Sequence, residues 1–226
     1  MTPRRNPADW HPASVLLAVQ LLGVVAYPFI DEAIGRAALA LFGLAVLFLA
    51  VRAVQASPAL TWVAIAIGLP LAILSLVQVA DPANGVLLLW SSILFAAFYF
   101  YTSYGLIRYL IQERLVTTET LLATGATFTV VAWAFAYTFQ AIQAFWPGAF
   151  SEAVASTPRP WFDLLFLSFT TLTSVGLSDI VPVLPQARSW VMIEQVAGLM
   201  YVALVVSRIV GLTVARQRTN AEENRT

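Results

Sequence analysis

The sequence contains no cysteine, no lysine and a single histidine, and charged residues make up only 11 % of it. Without cysteine, no disulfide, thiolate nucleophile or cysteine metal site can form. The lone histidine, His11, precedes the first apolar run and reads as a solvated interface residue. A soluble domain of this size would carry about 25 % charged residues. The formal net charge is zero, which gives no footprint for a nucleic-acid partner. What fills the chain instead is apolar residues, at 60 %. They fall in runs of about 20, each long enough to cross a hydrocarbon core at about 1.5 Å per residue.

The pattern is that of an all-α membrane protein, multi-pass in the cell (plasma or inner) membrane. Six transmembrane helices are expected, near Ser14–Ile30, Ala37–Val54, Leu60–Ala80, Gly85–Ile111, Thr120–Phe145 and Ala187–Leu212. Arg4 and Arg5 precede the first run, as in a signal peptide. That run has 17 residues and no convincing small-x-small site after it, so a retained helix is expected. The twelve basic residues are all arginines and test the count. With both termini cytoplasmic, Arg4, Arg5, Arg52, Arg108, Arg114, Arg208, Arg216, Arg218 and Arg225 lie inside. Arg36, Arg159 and Arg188 lie outside, a bias that follows the positive-inside rule. The chain divides into a four-helix N-terminal membrane module (1–115), a pore-like part (116–212) and a short cytoplasmic tail (213–226).

The segment between the last two spans is long. Its first part, 146–160, is rich in proline and serine and reads as an extracellular turret. Its second part, "WFDLLFLSFTTLT" (161–173), reads as a helix too short to cross the bilayer. A hydroxyl-rich, irregular stretch follows. Such backbone at membrane depth survives only where protein surrounds it or where it lines a water-filled path. A re-entrant short helix and loop between helices 5 and 6, lining a pore or a cavity, are therefore expected.

The residues from Trp161 to Leu212 resemble the pore domain of tetrameric potassium channels. The resemblance rests on the lead "FDLLFLSF", on Thr170-Thr171-Leu172-Thr173-Ser174-Val175-Gly176-Leu177-Ser178-Asp179, on the exit Ile180-Val181-Pro182 and on an apolar helix after it. It implies an ion-selectivity filter at Thr173, Ser174, Val175, Gly176, Leu177, Ser178 and Asp179. There K⁺ would exchange its water shell for oxygens of Ser174, Val175, Gly176 and Leu177. It also implies a homotetramer, since one chain supplies one strand of filter, with monovalent cations and the lipid bilayer as partners. Potassium ions in the pore are the only bound species implied, with no cofactor.

Two filter letters depart from that pattern. Leu177 stands where an aromatic is usual. The cuff positions Phe166 and Leu167 are apolar too, so Leu177 is expected to pack on one of them. Ser178 replaces the second glycine, at a position with positive φ in the family. Holding serine there would cost about 1 kcal/mol per chain. Either the assembly bears that strain or the outer filter has another shape. Thr170 stands where some members carry an acid that pairs with the residue at Asp179, which leaves Asp179 freer.

Three further positions complete the candidate set. Gly198 fits the spacing of a gating hinge, and equally a glycine for close packing. Gly211 reads as packing or a helix end. Glu194, the inner-helix acid, is expected to brace the short helix by hydrogen bonds rather than touch the ion. The fourth span has no regular arginines, so little or no intrinsic voltage sensing is expected. The 14 residues after Leu212 leave no room for a fused cytosolic sensor. The expected function is a tetrameric cation channel conducting potassium, not an enzyme. The alternatives are a non-selective cation channel and a non-conducting regulatory subunit with a channel-like fold. An intramembrane protease or a proton-coupled carrier is disfavoured, because no span contains a histidine and only Glu194 is a buried acid candidate.

Overall fold

The computed structural model describes residues 12–29, 58–81, 84–112, 117–151 and 158–223. The second expected span, Ala37–Val54, lies outside them. Six helices are described: α1 (Pro12–Ala26, followed by a 3₁₀ turn Tyr27–Phe29), α2 (Pro58–Ala80), α3 (Gly85–Gln112), α4 (Thr118–Phe145), α5 (Trp161–Leu172) and α6 (Pro185–Glu223). Among the described residues there is no strand, only one isolated antiparallel bridge, Phe150 to Pro182. Among the described residues, three helices are long and apolar enough to cross a membrane, at 85–112, 120–145 and 185–208. Helix α6 continues without a break through Gly211 and the tail-like residues as far as Glu223.

Helix α4 is the hub, touching α1, α3, α5 and α6. Its composition explains why. Ala132, Ala134 and Ala136 are fully buried, and small side chains let neighbouring backbones approach closely. Between them Trp133, Phe135 and Phe139 fill the space that remains. The N-terminal end of α4 is capped by Thr117, whose side chain accepts from the Thr120 amide at 3.2 Å.

Polar side chains are few, and they sit where helices meet. Thr129 of α4 donates to Gln20 of α1 at 2.8 Å. Ser92 of α3 donates to Gln140 of α4 at 3.0 Å, and Ser91 of α3 donates to Gln78 of α2 at 2.8 Å. Tyr201 of α6 donates to the Thr124 carbonyl of α4 at 2.6 Å. Apolar burial gives no net attraction between helices in lipid, so close packing and such hydrogen bonds hold them together.

The N-terminal helices reach the start of α5 through aromatic rings. Tyr27 stacks on Phe162 with centroids 4.2 Å apart. Tyr137 of α4 lies 5.2 Å from Trp161 and stacks on Phe95 and Tyr99 of α3. The first turn of α5 thereby packs on α4, which α3 backs, and on the 3₁₀ turn after α1.

Its last turn is fixed by α6. A Cβ on Gly198 would lie 2.0 Å from the Leu172 carbonyl oxygen. Only glycine fits, because the obstacle is backbone that a rotamer change cannot move. Gly198→Ala is expected to push α6 from α5 and lose about 1–3 kcal/mol of stability. Thermal unfolding in detergent checks this, and an unchanged melting temperature would contradict it.

Candidate functional site

The chain enters the site through a turn at the end of α4, where Gly148 adopts φ +79°. Residues 149–151 then run antiparallel to 181–183. The Ser151 amide donates to the Val181 carbonyl, and the Val183 amide to the Ala149 carbonyl, both at 2.8 Å. The two chain segments flanking α5 are thus fastened to each other.

Helix α5 begins after Pro160, whose fixed φ suits a helix start. Asp163 sits in its first turn, where a negative charge complements the amide end of the helix dipole. Leu164, Leu165, Leu167, Ser168, Thr170, Thr171 and Leu172 are buried. Helical order ends at Thr173, the cap, whose amide donates to the Phe169 carbonyl at 3.1 Å.

The next residues carry the unusual backbone. Ser174 has φ +59° and Gly176 has φ +67°. They are separated by one residue, so the strand turns its carbonyls in a way that ordinary β or helical backbone does not. The Gly176 amide folds back to the Thr170 carbonyl at 3.0 Å, and the Ser174 amide to the Thr171 carbonyl at 3.0 Å. The outer side of this loop is open within the chain, with Val175 at 67 % and Leu177 at 76 % exposure.

Ser178 takes the second course open to it. Ser174 is the only non-glycine residue with positive φ among the described residues, so Ser178 lies outside the left-handed region. Its hydroxyl instead accepts the Ile180 amide at 3.0 Å, a local side-chain turn of the kind serine favours. The strain has moved to Ser174, where serine is a better occupant than a β-branched threonine.

At the expected cuff, Leu167 is buried, Phe166 half exposed and Leu177 mostly exposed within the single chain. Thr170 is buried, and its hydroxyl donates to the Leu167 carbonyl at 2.9 Å. Asp179 is not left free. It pairs at 3.2 Å with Arg159, which the sequence reading placed only as an outer-loop arginine. The signal available was a lone cation four residues ahead of Asp163.

Glu194 is fully buried in α6. Ser168 of α5 donates to one of its oxygens and lies 2.8 Å from the Ala132 carbonyl of α4. The acid therefore ties α5 to α6 behind the loop, away from its open side.

A family model described as "Ion channel" matches residues 125–215. That segment holds most of α4, all of α5, the loop and α6 as far as residue 215, eight residues short of its end. Over residues 125–215 the chain is thus similar to ion channel sequences. The match agrees with the likeness to potassium-channel pore domains drawn from the loop itself. No curated protein and no solved structure matches the chain.

The left-handed backbone at 174 can be tested directly. Ser174→Gly is expected to relieve up to about 1 kcal/mol per chain, and Ser174→Thr to add strain of similar size. Melting temperatures of the two variants should bracket that of the parent. A more stable threonine variant would contradict the left-handed conformation.

Proposed function

We propose that the protein is a homotetrameric cation channel that conducts K⁺ through a path lined by Thr173 to Asp179. The observation that carries this reading is the paired positive φ at Ser174 and Gly176, in an uncharged loop at the end of a short helix packed between α4 and α6. In this reading α5 is the pore helix and its carbonyl end favours a cation. Carbonyls of Ser174, Val175, Gly176 and Leu177, with the Ser174 hydroxyl, replace the water shell of K⁺. Leu177 and Val175 are open because three further copies of the chain cover them.

The open face of α6 supports the same assembly. Met192, Ile193, Val196, Leu199 and Met200 are exposed along it, while α4 is buried along most of its length. The four-helix module is a membrane scaffold whose aromatic rings hold α5. Both termini lie in the cytoplasm, and voltage has little direct effect.

A second reading, a non-selective cation channel, is favoured by one observation. Ser178 does not adopt the backbone of a second filter glycine, so the outer ring of oxygens has a different shape. Reversal potentials with K⁺ on one side and Na⁺ on the other separate the two readings. A strong K⁺ preference is expected, and equal permeability would establish the second.

Flux into liposomes tests conduction itself. K⁺ uptake that scales with protein and is blocked by Ba²⁺ is expected. Gly176→Ala should abolish it. A Cβ there meets nothing within 4 Å, so the loss would come from backbone strain and not from a clash. No uptake by folded protein would refute the channel.

A further inference from the structure

Arg159 lies outside the expected filter, yet its contacts converge on it. Its side chain is only 9 % exposed. The Nε donates to the Ser151 carbonyl at 2.7 Å. One Nη1 reaches Asp163 at 3.3 Å and Asp179 at 3.2 Å. Its backbone is gripped as well. The Arg159 amide donates to the Gln143 side chain at 3.0 Å, and Gln143 donates back to the Arg159 carbonyl at 2.9 Å. One residue thus joins the end of α4, the start of α5, the 149–151 segment and the exit of the loop.

An exposed ion pair contributes little when both side chains must be ordered to form it. That cost is small here, because Gln143 and Ser151 hold Arg159 in place whether or not Asp179 is present. The planar fork suits the task, with Nε committed to a carbonyl and Nη1 to carboxylates. Ser151 adds a second link, since its hydroxyl accepts the Val181 amide at 3.0 Å. The segment 180–182 is also held by the buried Ile180, by the Ser151 amide on the Val181 carbonyl at 2.8 Å and by Arg188 Nε on the Pro182 carbonyl at 3.1 Å, but none of these reaches the Asp179 carboxylate. Thr170 offers no acid to Asp179, and Ser178 bonds only locally.

We propose that Arg159 is a positioning residue for the outer end of the filter. It sets the orientation of Asp179 from the turret side, in place of a partner behind the filter, and through it the outermost cation site. This rests on the channel reading given above. Loss of Arg159 would free Asp179 and loosen 176–182 without touching the Thr170–Gly176 contact at the inner end.

The test uses the full chain in lipid nanodiscs and liposomes, with Arg159→Gln, Arg159→Lys, Asp179→Asn and the Arg159→Gln/Asp179→Asn double variant. Hydrogen exchange is followed in a peptide covering 176–184, and reversal potentials are measured in K⁺/Na⁺ gradients. Arg159→Gln should speed exchange there roughly fivefold, with α4 peptides unchanged, and shift the reversal potential toward lower K⁺ preference. Lysine should restore only part, keeping charge without the fork. The double variant should be no worse than Arg159→Gln alone, as expected for partners in one interaction. If Arg159→Gln does not fold, Asp179→Asn decides, since it removes only the loop-side contact. Unchanged exchange and unchanged reversal potential in Arg159→Gln, or in Asp179→Asn in that event, would overturn the proposal. Parent protein that passes no cation would refute the channel reading alone, and the exchange comparison would then decide the role of Arg159.

Discussion

A stretch of polar backbone without regular hydrogen bonding is the constraint on which the rest of this structure depends. Residues 173–180 form neither helix nor strand. In a membrane, each unsatisfied amide or carbonyl would cost several kcal/mol if it faced lipid. The surroundings answer that demand. Gly176 returns its amide to Thr170, Ser178 takes the Ile180 amide, and 149–151 pairs with 181–183. In the proposed channel, the carbonyls left over are the ones that would bind a cation.

Support for the loop comes from both ends of α5. Aromatic rings of α4 and of the 3₁₀ turn after α1 pack on Trp161 and Phe162, and Leu172 sits against the bare backbone of Gly198. Between them, Ser168 and Glu194 join α5 to α6. The N-terminal helices thereby acquire a physical role that needs no charge movement. They form part of the wall that holds the short helix at its angle.

Much of this was legible in the sequence, for reasons that can be named. Helix α5 and the loop were readable because a 12-residue apolar run is too short to span and is followed by hydroxyls and glycine. Helices α3, α4 and α6 announced themselves by length and hydropathy. Glu194 was expected to brace α5, and its bond to Ser168 does so. The location of the left-handed residue was not legible. Serine at 174 and serine at 178 are chemically identical letters, and only the fold puts one at φ +59° and lets the other cap an amide. For Arg159 only the Asp163 pairing four residues on had a local signal, because Ser151, Gln143 and Asp179 lie 8, 16 and 20 residues away. For Gly198 the sequence left hinge and packing open, and the Leu172 carbonyl supplies a packing reason.

One chain presents a single strand of loop with Val175 and Leu177 uncovered, so the proposal stands on four chains closing around one axis. Native mass spectrometry of the protein released from lipid measures this directly. The account predicts a species of four 24.6 kDa chains as the dominant assembly. A stable, folded monomer or dimer as the dominant species would contradict it.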